Sequence, residues 1–221
     1  MRIFRWIPLI LVIFLSGCST TAPLFSEDHE RWSLKDRWAF QEANNRTISE
    51  WHLRGKLSIK AGTKGGSSTL RWSYADTAQN IQLYGPLGGG RVIVDVEPGQ
   101  AILKDSKGQI IEGLSAEEVL YERLGWHVPF DELAWWSRGL PDIDSTEIEI
   151  DNDGLLKRLE HGIWEVEYLE YLRVDSYVLP RRLEILSKPG KIKTYDNKGN
   201  YIGDQLRLIV VINRWNDIVE G

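Results

Sequence analysis

The one cysteine of the chain, Cys18, stands directly after an N-terminal apolar run. That run begins with Arg2 and Arg5 and ends in the small residues Ser16 and Gly17. A basic start, an apolar middle and small residues before a cleavage point are typical of a secretory signal segment. The apolar part is shorter than the roughly 20 residues of a transmembrane helix. Because the chain has no second cysteine, Cys18 has no intramolecular disulfide partner, and we expect its thiol to carry another modification.

Residues 15–18, Leu-Ser-Gly-Cys, resemble the lipobox of bacterial lipoproteins. In that motif the cysteine thiol receives a diacylglycerol, the peptide bond before it is cut, and the new amino group is acylated. We therefore predict a lipoprotein signal peptide over residues 1–17 and a lipid anchor, S-diacylglycerol and N-acyl, at Cys18. Two acyl chains hold a protein stably at a membrane, since each buried methylene contributes about 0.8 kcal/mol. Residues 18–30 have no hydrophobic period and are predicted to form a flexible tether to one domain over residues 31–221.

Side chains suited to catalysis or metal binding do not fall into a recognisable pattern. The four histidines lack the spacing of metal ligands and have no cysteine to join them. No Gly-x-Ser-x-Gly nucleophile elbow is present. The glycine-rich residues 85–90 are followed by a strand-like segment and by no Lys-Ser/Thr pair, unlike a phosphate-binding loop. Residues 151–154 lack the spaced oxygen ligands of a calcium loop. We therefore predict no enzyme activity, no cofactor and no metal site.

Composition restricts the remaining classes of function. Loss of residues 1–17 leaves 204 residues and moves the formal net charge from −5 to −7. A mildly acidic chain lacks the basic stripe that nucleic acids require, so nucleic acid is excluded as a partner. Nine tryptophans follow residue 17, which suggests a large core or an apolar ligand pocket.

The periodicity predicts a mainly β protein of about ten strands and three helices. Antiparallel strands with one solvated face are expected where apolar and polar residues alternate. These segments are residues 51–60, 69–74, 80–84, 91–96, 100–104, 146–150, 155–160, 164–171, 181–186 and 206–213. Tight turns with an Asp followed three residues later by a Gly are expected at residues 105–108, 151–154 and 196–199.

Three helices are expected to precede or interrupt this sheet. Apolar residues at three- to four-residue spacing predict an amphipathic helix over residues 31–48. Residues 115–118, Ser-Ala-Glu-Glu, have the form of a capping box, and Gly125 stops the helix that follows. Asp131 is predicted to cap a second short helix that runs through Trp136.

The loop of residues 85–90, Gly-Pro-Leu-Gly-Gly-Gly, differs from the polar turns elsewhere. It presents Leu87 between Pro86 and Gly88, where neighbouring glycines leave the leucine little to pack against. On a lipid-anchored protein such an apolar tip could enter the bilayer, and burying one leucine contributes about 1.5–3 kcal/mol. An ordinary turn with one exposed leucine explains the same residues equally well.

Short segments between Trp51 and Trp215 together resemble the LolB family of outer-membrane lipoprotein receptors. They occur in this order along the chain: Trp51-x-Leu-Arg-Gly-Lys-Leu57, Leu70-Arg-Trp72, Leu83-Tyr-Gly-Pro-Leu-Gly88, Leu124-Gly-Trp-His-Val-Pro129, Leu133-x-x-Trp136 with Gly139-Leu-Pro141, Gly162-Ile-Trp-Glu-Val-Glu-Tyr168 and Leu179-Pro180. Each segment is weak alone, and their order behind a lipobox makes the match specific. Residues 188–205 depart from the family pattern and are expected to form an extra hairpin.

The resemblance implies an open, incomplete antiparallel β-barrel whose cavity is covered by about three helices. Such a receptor takes the acyl chains of lipoproteins from a periplasmic carrier of the LolA kind and inserts them into the outer membrane, without catalysis or ATP. It is anchored in the outer membrane and faces the periplasm, and Ser19 beside the anchor agrees with that location. The protruding leucine of the family corresponds to Leu87, which favours membrane insertion of the loop formed by Pro86, Leu87 and Gly88. Candidates for the acyl-chain cavity are apolar residues on strand faces or helix stripes: Trp72, Leu83, Val94, Leu120, Leu124, Trp136, Tyr168 and Leu183.

Two other functions stay open at this point. A structural or assembly lipoprotein would have the same barrel with a filled core, and each cavity candidate could be an ordinary core residue. A receptor requires roughly 300–1,000 Å³ of apolar space, so the cavity distinguishes the two. A periplasmic hydrolase on a β scaffold would require converging titratable groups, which the sequence does not supply.

Overall fold

The computed structural model describes residues 24–25, 31–75, 77–86, 90–195 and 200–221. Over these residues the chain forms three helices and thirteen strands, as expected for a mainly β protein. The helices are α1 (Leu34–Arg46), α2 (Ala116–Leu124) and α3 (Phe130–Trp136). The strands are β1 (Ile48–Ala61), β2 (Lys64–Ala75), β3 (Ala78–Gly85), β4 (Gly90–Glu97), β5 (Gln100–Asp105), β6 (Ile110–Gly113), β7 (Ser145–Ile150), β8 (Leu156–His161), β9 (Trp164–Val174), β10 (Tyr177–Ser187), β11 (Thr194–Tyr195), β12 (Tyr201–Gly203) and β13 (Leu206–Glu220).

Eleven of the described strands form one open antiparallel sheet. Its order is β6-β5-β4-β3-β2-β1-β13-β10-β9-β8-β7, so the first strand lies beside the last one in the middle of the sheet. Among the described strands, the edge strands β6 and β7 do not pair with each other, which leaves the barrel incomplete. The resemblance to LolB implied this architecture. The pair β11–β12 stands apart as a short hairpin within residues 188–205, where the extra hairpin is expected.

The alternation of apolar and polar residues places one face of the sheet in the core. In β1 the side chains of Trp51, Leu53, Leu57 and Ile59 are buried, whereas the even-numbered residues His52 to Ser58 are exposed or partly exposed. The same two-residue period continues through β3, β4 and the first half of β13. Since successive side chains of a strand point to opposite faces, this period buries one face of the sheet and leaves the other face solvated.

Helix α1 buries a different face from the one that its sequence predicts. Its apolar residues Leu34 and Phe40 are exposed, whereas Gln41 and Asn45 are buried. The side-chain amide of Gln41 donates to the carbonyl of Val178 at 2.6 Å. The amide of Asn45 donates to the carbonyl of Arg138 at 2.7 Å. The expectation of an apolar buried stripe is therefore wrong for α1, because polar side chains attach this helix to one backbone carbonyl of β10 and to one that follows α3.

Helices α2 and α3 cover the apolar face of the sheet. The capping box of α2 is confirmed: the Glu118 N–H donates to Ser115 Oγ at 3.2 Å, and the helix ends at Gly125 in the left-handed conformation. Asp131 is not the cap of α3, because that helix already begins at Phe130 after Pro129 and has no side-chain cap. The Asp131 carboxylate instead accepts a hydrogen bond from Gln79 Nε2 at 3.0 Å.

Two of the three expected Asp/Gly turns lie in the described residues, and both are confirmed. The Gly108 N–H donates to the Asp105 carbonyl at 3.2 Å, and the Gly154 N–H donates to the Asp151 carbonyl at 3.1 Å. The third, residues 196–199, lies outside the described residues. Each described helix falls short of the length and apolar character that a membrane span requires.

Candidate functional site

The residues expected to line an acyl-chain cavity lie together between the sheet and its helices. Seven of the eight candidates are buried, with 0–7% of each side chain exposed, in one contiguous apolar cluster. These seven are Trp72, Leu83 and Val94 on β2–β4, Leu120 on α2, Trp136 on α3, and Tyr168 and Leu183 on β9 and β10. Leu124, the eighth, is half-buried and packs against the margin of the cluster. Burial in one cluster is compatible both with an acyl-chain site and with ordinary core packing.

A chain of aromatic rings joins the sheet to the helix layer within this cluster. The ring of Trp51 meets Trp72 edge to face at 4.8 Å and Trp215 edge to face at 5.4 Å. Trp72 in turn meets Phe130 at the start of α3, with ring centroids 5.2 Å apart. Trp51, Phe130 and Trp215 were not among the sequence candidates. Trp51 could have been chosen, since it begins the alternating pattern of β1 on the buried side.

Several polar atoms are enclosed in this apolar cluster without a hydrogen-bond partner. Among the described residues they include the indole N–H groups of Trp51, Trp136 and Trp215 and the hydroxyl of Tyr168. Burial raises the pKa of the Tyr168 phenol well above its usual range, so this hydroxyl stays a neutral donor. An unpaired buried donor costs free energy, and the cluster therefore offers four donors for which an acceptor would be favourable.

Two polar links hold the helix layer on the sheet. Arg123 of α2 donates to the Asp105 carboxylate at 2.8 and 3.0 Å. Gln79 of β3 accepts from Trp72 Nε1 at 3.1 Å and donates to Asp131 of α3 at 3.0 Å. The backbone N–H of Gln109 and, less strongly, the Arg123 guanidinium lower the pKa of Asp105 below its ordinary value. The link to α2 is therefore a charged one at neutral pH.

An open cleft of about 630 Å³ lies beside α3. Trp135, Glu132, Ile143 and His161 are among the residues that line it, and the Ile143 side chain is 98% exposed. His161 Nδ1 lies 2.7 Å from Asp142 Oδ1, and the imidazole meets the buried ring of Trp136 at 5.8 Å. Burial raises the pKa of Glu132. The His161 ring thus contacts both the cleft and the apolar cluster.

The loop expected to touch the membrane joins β3 to β4, as its position in the sequence implies. Gly85 and Gly90 face each other at the ends of these strands, with positive φ angles of 102° and 146°. Pro86 is exposed. Leu87 and Gly88 lie outside the described residues, and so does Cys18. Their roles stay predictions.

No group of three or more metal-ligating side chains forms a candidate metal site within the described ranges. His161 lies 2.7 Å from Asp142 and 4.0 Å from Glu132.

Comparison with known proteins places the chain in a family. The family model described as outer membrane lipoprotein LolB matches residues 49–215. The outer-membrane lipoprotein LolB of Pseudomonas putida (strain KT2440) is 33% identical over 183 residues, which cover 82% of this chain and 88% of that protein. The outer-membrane lipoprotein LolB of Chromohalobacter salexigens is 30% identical over 211 residues, 95% of this chain and 89% of the relative.

A solved LolA superfamily protein from Nitrosomonas europaea shares 5% identity and a TM-score of 0.47, over 85% of this chain and 96% of that one. That similarity is weak, whereas the family model and the relatives span most of the chain. The chain therefore belongs to the LolB family of outer-membrane lipoproteins.

Proposed function

We propose that this protein receives lipoproteins from a periplasmic carrier of the LolA kind and inserts them into the outer membrane. The observation that carries the proposal is membership of the LolB family over residues 49–215. Residues 1–17 act as signal peptide, Cys18 carries the lipid anchor, residues 18–30 are the tether and residues 31–221 bind the cargo. The acyl chains pass from one apolar site to another and then to the apolar interior of a bilayer. Because these environments are similar, the transfer requires neither ATP nor catalysis. The alternative of an assembly lipoprotein is not favoured by these relatives.

The acyl chains bind between the sheet and the helix layer. The candidates there are almost fully buried, so an acyl chain reaches them when α2 and α3 move away from the sheet. Methylene groups of the chain then replace the apolar contacts that the helices lose, at about 0.8 kcal/mol for each buried methylene. The two polar links, Arg123 with Asp105 and Gln79 with Asp131, are the contacts that this movement breaks or stretches. Short helices such as α3, with seven residues, depend on such contacts for their stability.

The unpaired donors in the cluster suit the polar part of a lipoprotein lipid. An acylated cysteine carries ester and amide carbonyls at the head of its acyl chains. The indole N–H groups of Trp51 and Trp136 and the Tyr168 hydroxyl can donate to such carbonyls. A site of this kind holds the lipid without any charged residue. The cleft beside Trp135 and His161 is the entrance, because its inner wall contacts Trp136.

The loop of Pro86, Leu87 and Gly88 delivers the cargo to the membrane. Its ends are fixed by the pairing of Gly85 with Gly90 at the tip of the β3–β4 hairpin. One leucine entering the bilayer contributes about 1.5–3 kcal/mol, enough to favour an encounter without adding a second anchor.

A two-step transfer assay with Leu87→Glu tests this function. The full chain is reconstituted in vesicles and receives a labelled lipoprotein from the carrier, and uptake by the protein and release into the vesicles are measured separately. We expect normal uptake and a release rate reduced roughly tenfold or more, because a charge in the hydrocarbon region costs several kcal/mol. Asn152→Glu, in the exposed turn after β7, is the matched control and should leave both steps unchanged.

Two outcomes would contradict the assignment of Leu87. Normal release by the Glu variant would show that the loop is an ordinary turn. Joint loss of uptake and release would place Leu87 in the core or the acyl-chain site. If the unsubstituted protein takes up no lipoprotein from the carrier, the proposed function itself is wrong.

A further inference from the structure

Three arginines lie side by side on the outer face of the sheet. Arg54 of β1 is in register with Arg71 of β2 on one side and with Arg214 of β13 on the other. All three are exposed. Side chains directly opposite each other on neighbouring antiparallel strands have Cβ atoms about 4.5–5.5 Å apart, where like charges destabilise the sheet. A row of three guanidinium groups at this spacing therefore opposes the stability of the free protein.

Among the described residues, no carboxylate forms an ion pair with Arg54 or Arg214. The Arg71 guanidinium stands 5.1 Å over the ring of Tyr84. Two other arginines form close ion pairs. Arg207 on the same strand as Arg214 contacts Glu184 at 2.6 Å, and Arg123 contacts Asp105 at 2.8 Å. The unpaired row is thus a local feature of a chain whose formal net charge is −5.

The three arginines line an open groove of about 410 Å³. Its wall also contains Ser73 and Asn216, which can donate hydrogen bonds. The amides of Asn80 and Gln82 lie in the wall as well, and they donate to Asp95 and to Asn80, both at 2.6 Å. The one carboxylate in the wall, Asp217, is 2.9 Å from His52 Nδ1. Guanidinium forks beside amide and hydroxyl donors match the oxygen atoms of a phosphate group, which arginine binds in a bidentate manner.

The groove lies close to the base of the loop that we assign to the membrane. Arg71 is in register with Gln82, three residues before Gly85, and this spacing corresponds to about 10 Å along a strand. Two further exposed cations, Lys56 and Arg91, lie between the groove and the loop on the same face. They belong to one cross-strand row, in which Lys56 pairs with Thr69, Thr69 with Tyr84, and Tyr84 with Arg91.

We propose that this groove binds the phosphate group of an anionic phospholipid at the membrane surface. The bound headgroup relieves the repulsion within the arginine row and places the outer face of β1–β4 against the membrane, with the loop beside it. The inference rests on the proposed function only in its choice of ligand, because a protein held at the outer membrane faces phospholipid phosphates continuously. A weak apolar contact and a basic patch together give firmer membrane contact than either alone.

A dye on the outer face tests the contact. The full chain with Thr69→Cys, labelled with a polarity-sensitive fluorophore, is reconstituted in vesicles of phosphatidylcholine alone or of equal parts phosphatidylcholine and phosphatidylglycerol. We expect a blue shift in the vesicles that contain phosphatidylglycerol, and its loss in Arg54→Gln/Arg214→Gln. The matched control Lys60→Gln/Lys64→Gln removes the same charge outside the groove, from the hairpin end of β1 and β2 on the loop side, and should keep the shift. A label at residue 146 on the edge strand β7 should report no shift.

Four results would overturn the proposal. The first is equal emission in both kinds of vesicle, and the second is equal loss of the shift in the two double variants, which would reduce the effect to overall charge. The third is a shift in vesicles of phosphatidylcholine alone that appears on adding inorganic phosphate and not on adding chloride of the same ionic strength, which would make free phosphate the ligand. The fourth is a shift caused by an acidic peptide and not by phosphatidylglycerol, which would make this face a protein-docking surface. The assay contains no cargo lipoprotein, so its failure is distinct from failure of the transfer function.

Discussion

At Gly55 the backbone of β1 comes very close to the backbone of β13. A Cβ atom at this position would lie 2.1 Å from the carbonyl oxygen of Val211, and the pairing of β1 with β13 is irregular between Arg54 and Gly55. The residue thus serves the backbone contact at the centre of the sheet. Its position between two cations in the sequence, Arg54 and Lys56, gives no sign of this role, because the contact joins residues from opposite ends of the domain.

Gly55→Ala is expected to destabilise the protein by about 3 kcal/mol, since the strand must shift to make room for the methyl group. Gly99→Ala is the control. That turn glycine has a φ of +77°, and a Cβ atom added there would have no neighbour within 4 Å, so only backbone strain of about 1 kcal/mol applies. Urea unfolding of the full chain in a nonionic detergent measures both. Equal losses in the two variants would contradict the close approach.

Polar side chains that are buried because they form hydrogen bonds were the hardest to predict from the sequence. Gln41 and Asn45 reach carbonyl partners 137 and 93 residues away, and nothing near them in the sequence indicates those partners. The apolar candidates of the acyl-chain site were easier, because alternation alone indicates which face of a strand is buried. Trp51 was missed as a site residue although the alternation of β1 places it on that face. Trp215 is buried out of phase with the alternation of β13, because the two residues before it are both exposed.

At the scale of elements, the attachment of α2 depends on one carboxylate. Asp105 Oδ1 accepts from the backbone N–H groups of Lys107 and Gln109 at 2.8 and 2.9 Å, while Oδ2 accepts from Arg123. One side chain therefore closes the β5–β6 turn and holds the helix that covers the sheet. The turn was predictable from its Asp and Gly, whereas the ion pair was not, because it joins two elements whose packing the sequence does not show.

Asp105→Asn is expected to weaken the acid sensitivity of folding. The folded-state pKa of Asp105 is below its ordinary value of 3.8, so its carboxylate stabilises the fold above that pH. This stabilisation is lost as pH falls through the folded-state pKa. The variant should be less stable at neutral pH and should show a smaller fall in unfolding free energy below about pH 4.

Arg123→Gln separates the contribution of the ion pair to the lowered pKa of Asp105 from the contribution of the backbone hydrogen bonds. The variant keeps the hydrogen bonds from Gln109 and Lys107, of which the Gln109 bond has the largest influence on the pKa of Asp105. It should therefore retain more of the pH dependence than Asp105→Asn does. Urea titrations at a series of pH values measure how the free energy of unfolding changes with pH. If this pH dependence is the same in Asp105→Asn as in the unsubstituted protein, the role assigned to the Asp105 carboxylate is wrong.

The strands themselves were largely predictable, and the exceptions have a physical reason. Most long strands carry clear alternation, and the expected segments fall within or overlap the observed ones. Strand β6, residues Ile110–Gly113, was missed because four residues are too few to show a period. The start of α3 was misplaced because the residue before the helix, Pro129, has no side chain that can cap it. The first polar residue, Asp131, was therefore mistaken for the cap.

For the whole molecule, the order of strands could not be read from periodicity. The central pair β1–β13 brings together the first and the last described strands of the chain, and no local pattern encodes that pairing. The resemblance to LolB supplied the open barrel and the helix layer, and the structure agrees with both. What the fold then provides is an apolar, aromatic layer between the sheet and two short helices, with a cleft at its margin and a basic outer face beside a glycine-rich loop.

The most direct test of the account is to locate a transferred acyl chain on the protein. A lipoprotein with a photoactivatable diazirine at the end of one acyl chain is passed from the carrier to the full chain and illuminated, and the adducts are mapped by mass spectrometry. We expect adducts on the residues between the sheet and the helices. These are Trp72, Leu83, Val94, Leu120, Leu124, Trp136, Tyr168 and Leu183. Efficient transfer with adducts confined to outer-face residues such as Lys56 and Arg71 would contradict the account.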